Sequence, residues 1–122
     1  MIAQNRKILV VEDDAGIRES LLELFESEGY EVFLAENGLR GIEMMRDVRP
    51  FLVLLDLMMP VMDGSAFLAD LEKSTDKKVA ATPVVLLTAA GAKNTSGCKV
   101  NEVLTKPIDI EALLSVAAKY CA

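Results

Sequence analysis

Histidine is missing from all 122 residues. Without it the chain builds neither a Ser-His-Asp triad nor a His-ligated zinc site, and it cannot carry phosphate on an imidazole of its own. Cysteine is nearly as scarce. Cys98 and Cys121 form no CxxC and no metal-ligand spacing, so free thiols in a reducing cytoplasm are the expectation. No apolar run is long enough to span a bilayer, and residues 1–7 lack the apolar core of a signal peptide, so no membrane insertion is expected. Basic residues are the minority, 13 Lys and Arg against 19 Asp and Glu, for a formal net charge of -6. Scattered along the chain, they offer no stripe to a phosphate backbone, and direct nucleic-acid binding is not expected.

What is present is aliphatic. With 52% of residues hydrophobic, the chain has the composition of one ordered domain that buries roughly two-thirds of its unfolded surface. Short apolar runs alternate with amphipathic stretches. Lys7 to Val11 reads as a buried strand, and Ala15 to Glu28 as a helix with Ile17, Leu21, Leu24 and Phe25 inward and Gly29 at its C-cap. Glu31 to Ala35 alternates Val32 and Leu34 inward, which suits an edge strand. Leu39 to Val48 predicts a helix with Leu39, Ile42 and Met45 on its inner face, stopping before Pro50. Phe51 to Leu55 and Pro83 to Leu87 are apolar on both faces, as central strands of a parallel sheet are.

Between those two strands, a helix starting near Asp63-Gly64 should bury Phe67, Leu68 and Leu71, with Lys73 to Thr82 a polar loop. Ala89 to Asn101 is a poor helix, because Gly91, Gly97, Asn94, Thr95 and Ser96 all disfavour one. Glu102 to Thr105 is a short fifth strand, and Asp109 caps a last helix burying Ile110, Leu113, Leu114 and Ala117. Strands interleaved with helices imply right-handed crossovers and a doubly wound α/β domain with a five-stranded parallel sheet. No linker or repeat divides residues 1–122, so a single domain is expected.

In such sheets functional groups gather beyond the carboxyl ends of the strands. Those ends carry Glu12-Asp13-Asp14, Asp56, Thr88 and Lys106. Under the strand order 2-1-3-4-5 all of them converge on one crevice. Each has an ordinary explanation alone: Asp13 or Asp14 caps a helix, Asp56 is a turn residue before Pro60, Thr88 is a β-branched strand residue, and Lys106-Pro107 is a surface turn. These ordinary readings must all hold at the same sheet edge, which weakens them jointly. Carboxylates packed closely repel unless positive charge intervenes. Lys106 brings one charge, and a divalent cation brings two. Oxygen donors alone, few in number and with room for water, point to magnesium. Asp56 beside that ion is a nucleophile placed for phosphoryl transfer, with Lys106 absorbing charge and Thr88 donating to a phosphoryl oxygen. With no histidine in the chain, the phosphoryl group must come from another molecule.

These residues make the sequence resemble the receiver domain of bacterial two-component response regulators over essentially its whole length. The resemblance rests on Ile8 to Asp13 with Arg18 in the first helix, on Asp56 to Gly64, on Leu86-Leu87-Thr88-Ala89 and on Leu104-Thr105-Lys106-Pro107. It implies the flavodoxin-like, CheY-like fold with strand order 2-1-3-4-5, in which this chain's Ala89 to Asn101 segment predicts a shortened or irregular fourth helix. It implies that Asp56 is phosphorylated by a phosphohistidine on a histidine kinase or histidine phosphotransfer protein. It further implies that Asp13, Asp56 and the Met58 backbone carbonyl ligate magnesium, with Glu12 helping through water. Asp14 remains a helix cap, Thr88 becomes the switch residue and Lys106 the phosphoryl-binding cation. The expected function is that of a stand-alone signalling receiver that works by docking to target proteins.

Two features depart from the pattern. Val103 stands where the family places an aromatic residue, and the interval from Thr88 to Lys106 is shorter than usual by roughly one helical turn. The phosphorylation chemistry is retained and the readout surface altered, with Ala89 to Asn101 the expected responsive segment. Met58 and Ala90, neither able to orient water, imply a persistent phospho-aspartate. Three alternatives read the same residues differently. A magnesium-dependent aspartyl-nucleophile phosphatase needs an acid two residues after its nucleophile, where this chain has Met58. A flavin-binding module needs phosphate-cradling donors where Glu12-Asp13-Asp14 stand. A phosphorylation-independent receiver-like interaction module has only Val103 and the degraded fourth crossover in its favour.

Overall fold

The computed structural model describes residues 6–56, 69–70, 73–74, 77–88, 101–105 and 108–120. Along the chain run β1 (Lys7–Val11), α1 (Ala15–Ser27), β2 (Glu31–Ala35), α2 (Gly38–Val48), β3 (Leu52–Asp56), α3 (Lys77–Ala80), β4 (Val84–Thr88), β5 (Glu102–Thr105) and α4 (Ile110–Tyr120). The strands form one sheet in the order β2-β1-β3-β4-β5, and every neighbouring pair is parallel. This is the doubly wound, CheY-like arrangement expected from the alternating pattern.

The apolar runs become central strands because helices cover both faces of the sheet. On one face Leu9, Val11, Val53, Leu55, Val84 and Leu86 pack with Ala35 and with Met45 of α2. On the other, Ile8, Val10, Leu52, Leu54, Val85 and Leu87 meet Leu21 and Phe25 of α1 and Leu113, Val116 and Ala117 of α4. The edge strand β2 is packed on both sides too, Phe33 against the first layer and Val32 and Leu34 against the second.

Local signals place the turns. Asp14 caps α1 by accepting from the Ile17 N–H at 3.0 Å, and Asn37 caps α2 by accepting from Arg40 at 2.8 Å. Gly29 takes φ 89° just after the C-cap of α1, a conformation that glycine adopts without a Cβ penalty. Asp109 caps α4, accepting from the Glu111 N–H at 3.0 Å. Asn101 locks the start of β5 to β4, its N–H donating to the Val84 carbonyl and its side chain accepting from the Val84 N–H.

Three sequence expectations need correction. Leu39 and Ile110, assigned to inner helix faces, are 49% and 57% exposed. Both lie in the first turn of their helices, and helical side chains lean toward the N-terminus, so these two project past the sheet rather than onto it. The stretch Lys73 to Thr82, read as loop, contains the single turn of α3. β3 and β4 each begin one residue later than the apolar pattern indicated and run on to take in Asp56 and Thr88. Ala69 and Asp70 are helical, whereas Phe67, Leu68, Leu71 and Ala89 to Val100 lie outside the described residues, and with them the expected irregularity of the fourth crossover.

Candidate functional site

Sheet register brings the acids together. Val11 is paired with Leu55 across the β1–β3 ladder, so the next row holds Glu12, the first residue past β1, and Asp56, the last residue of β3. The Glu12 N–H still donates to the Ala35 carbonyl at 3.0 Å, which extends the ladder by one bond before the chain turns into α1. Carboxylate oxygens from Glu12, Asp13 and Asp56 all lie within 4.8 Å of one another. Glu12 and Asp56 are buried, at 1% and 6% exposure, and Asp13 is exposed. The cluster is therefore walled by the sheet on one side and open to solvent through Asp13.

Burial has an electrostatic consequence. It pushes the Glu12 carboxyl up from 4.5 to about 7, and hydrogen bonds with Asp56 and Asp13 add to the rise; the Asp14 N–H, which donates to Oε2 at 3.3 Å, opposes it. Negative charge at this edge is thus held at a cost that a cation offsets. Three clustered oxygen donors, with no nitrogen or sulfur among them, suit a hard divalent cation such as magnesium, which keeps part of its water shell. Asp14 points elsewhere, into the cap of α1, as expected.

The sequence expectations for the remaining groups divide. Thr88 ends β4 opposite Thr105 of β5, one row beyond the pairing of Asp56 with Leu87; its side chain lies outside the described residues, as do Lys106 and Met58. Val103, in the place of the family aromatic, pairs with Leu86 and is 43% exposed. One contributor had no role assigned from sequence. Arg18 donates from Nη1 to the Glu12 carbonyl at 2.8 Å, and its backbone N–H donates to the Asp14 carbonyl at 3.0 Å. The sequence marked Arg18 only as part of the resemblance in the first helix, with no task attached to it. Beside the acids, an apolar cleft of about 630 Å³ runs between α1 and α4, lined by Asp14, Ile17, Leu21, Ile108, Ile110 and Leu113 among others.

Comparison with known proteins agrees with this geometry. The family model for the response regulator receiver domain matches residues 8–118. Sporulation initiation phosphotransferase F of Bacillus subtilis is 39% identical over 120 residues, covering 95% of this chain and 94% of that protein. Other curated relatives are longer, and the chain spans between 24% and 47% of the regulatory protein AtoC of Escherichia coli and the response regulator MprA of Mycobacterium. Among solved structures, the receiver domain of a signal transduction histidine kinase from Syntrophus aciditrophicus superposes with a TM-score of 0.86 at 29% identity, covering 94% of this chain and 89% of that one. The receiver domain of sensor histidine kinase PA1611 from Pseudomonas aeruginosa PAO1, solved with a magnesium ion coordinated in its active site cleft, shares the fold at TM-score 0.85 and 22% identity, covering 96% and 98%. With strand order, acid cluster and family match in accord, the chain belongs to the response regulator receiver domains, the signalling modules of two-component systems.

Proposed function

We propose that the chain is a phosphoacceptor: Asp56 takes a phosphoryl group from a phosphohistidine on a histidine kinase or phosphotransfer protein, and the modified domain signals by docking to a target protein. The observation that carries this is the convergence of Glu12, Asp13 and Asp56 at the carboxyl edge of the sheet. An Asp56 carboxylate oxygen attacks phosphorus, the bond from phosphorus to the donor imidazole nitrogen breaks, and the electron pair leaves with that imidazole. Magnesium, when bound, neutralises charge on the carboxylates and on the transferred phosphoryl oxygens. Asp13, Asp56 and the Met58 carbonyl are its assigned ligands, and Glu12 acts through water. Burial of Asp56 against the sheet fixes the nucleophile and limits access of hydrolytic water. Lys106 and Thr88 are assigned to the phosphoryl oxygens.

The near full-length match to a protein named as a phosphotransferase supports this reading, as does the coordinated magnesium in a protein of the same fold. Met58, two residues after Asp56, favours signalling over phosphatase turnover. Residues 1–122 act as one domain in this proposal, in the cytoplasm; among the described residues no helix is long and apolar enough to cross a membrane. Intact-mass measurement after incubation with acetyl phosphate and magnesium tests the proposal. Wild type should gain one phosphoryl group, and both Asp56→Ala and a chelator should prevent it. A label that persists in Asp56→Ala, or is absent from wild type, overturns it.

A further inference from the structure

The β1–β2 ladder ends with an unfinished row, and Arg18 finishes it. In a parallel ladder a residue that donates to carbonyl j on the neighbouring strand accepts from the N–H of residue j+2. Glu12 donates to the Ala35 carbonyl, so the regular partner of the Glu12 carbonyl is the N–H of Asn37. Asn37, however, has left the sheet to serve as the N-cap of α2. The Arg18 guanidinium occupies that role instead, donating at 2.8 Å in a partly buried position. It binds a main-chain oxygen rather than any of the nearby carboxylates, so its effect is on the path of the chain.

That path bears directly on the acids. A peptide unit is planar, so gripping the Glu12 carbonyl fixes the plane that leads into Asp13. Beyond Asp13, the Asp14 carbonyl accepts the first backbone bond of α1, from the Arg18 N–H at 3.0 Å. Asp13 thus sits between the grip of the Arg18 side chain and the start of the helix. It needs that support more than its partners do, because Glu12 and Asp56 are buried against the sheet, whereas Asp13 is exposed. A charge-assisted bond from an arginine to a carbonyl is stronger than a neutral one, and a rigid guanidinium fixes direction as well as distance.

We propose that Arg18 is a positioning residue for the divalent cation: by holding the Glu12 carbonyl, its side chain aims Asp13 at the oxygen cluster shared with Glu12 and Asp56. This rests on the reading of that cluster as a magnesium site.

The test is magnesium affinity, measured by isothermal titration calorimetry on the metal-free full chain well below its melting temperature. Wild type, Arg18→Met and Arg18→Lys are compared, with the Asp13 amide shift on magnesium addition followed by NMR. Residues that orient metal ligands typically change affinity by about tenfold or more. Arg18→Met should therefore raise the magnesium Kd about tenfold and shrink the Asp13 response, and Arg18→Lys, which keeps charge but not the rigid fork, about threefold. A purely structural arginine would lower the melting temperature and leave the Kd of the folded protein unchanged. If Arg18→Met does not fold, Arg18→Lys decides: a Kd that matches wild type overturns the inference. Wild type that takes up no magnesium overturns the metal reading and this inference together, whereas tight binding by wild type and both variants alike overturns the positioning role alone.

Discussion

At the amino ends of the strands, Arg6 lies 4.5 Å from the Tyr30 ring centre and donates to the carbonyls of Gly29 and Glu28 at 3.0 and 3.2 Å. At the carboxyl ends, Glu12, Asp13 and Asp56 crowd together. One strand, β1, joins the two. Below it the cation meets a π face and the carbonyl end of α1, and Tyr30 continues an aromatic stack, edge-on to Phe25 at 5.8 Å and tilted to Phe51 at 5.9 Å. Complementary partners of this kind stabilise a fold with nothing added. Above it, like charges are held close together by the surrounding sheet. The lower end secures the architecture, and the upper end gathers the acids assigned to the proposed magnesium site.

The contrast can be broken experimentally, and the lower end offers the largest effect. Phe25 is fully buried, and Phe25→Ala should destabilise the fold by about 3–5 kcal/mol in urea unfolding, equally with and without magnesium. A loss that magnesium restores would mean that the two ends are not independent. Next comes Glu12. Folding raises its pKa from 4.5 to about 7, so between those values the folded chain holds a proton that the unfolded chain has released. The stability from that proton is complete below pH 4.5 and fades as the pH rises to 7. In chelator, wild type should lose on the order of 3 kcal/mol relative to Glu12→Gln across this window, and Glu12→Gln should be the more stable protein at pH 8. A pH-independent difference between the two would remove the electrostatic cost from the upper end.

Arg6→Met should cost about 1–2 kcal/mol through the lost carbonyl bonds and ring contact, with no change in magnesium affinity; a changed Kd would couple the ends through β1. The smallest effect belongs to Asp14→Ala, about 1 kcal/mol for a lost helix cap. Its melting temperature should fall while acetyl phosphate still labels Asp56, and failure to label would promote Asp14 from cap to ligand.

Legibility in the sequence followed the same division. Strands read clearly because parallel strands buried on both faces become continuous apolar runs such as Ile8 to Val11 and Leu52 to Leu55. Caps read clearly where one side chain suffices, as at Asp14 and Asp109. Leu39 and Ile110 misled because helical periodicity gives a direction around the axis and not whether a neighbour exists at that height. The acids were found from their places at strand ends. The grip of Arg18 on Glu12 was not, since a bond from a side chain to a distant main-chain oxygen leaves no trace in residue spacing.

The pairing of Val11 with Leu55 means that Glu12 and Asp56 meet by counting rather than by mutual attraction. Each strand step is about 3.3 Å and reverses the side-chain direction. One extra residue inside β1 or β3 would therefore invert every side chain beyond it and carry a carboxylate away from its companions. Size-matched aliphatic exchanges within these strands leave the count intact. Chain length between the ladder and the acids is the quantity with no slack, which makes a single-codon insertion here more damaging to function than most replacements.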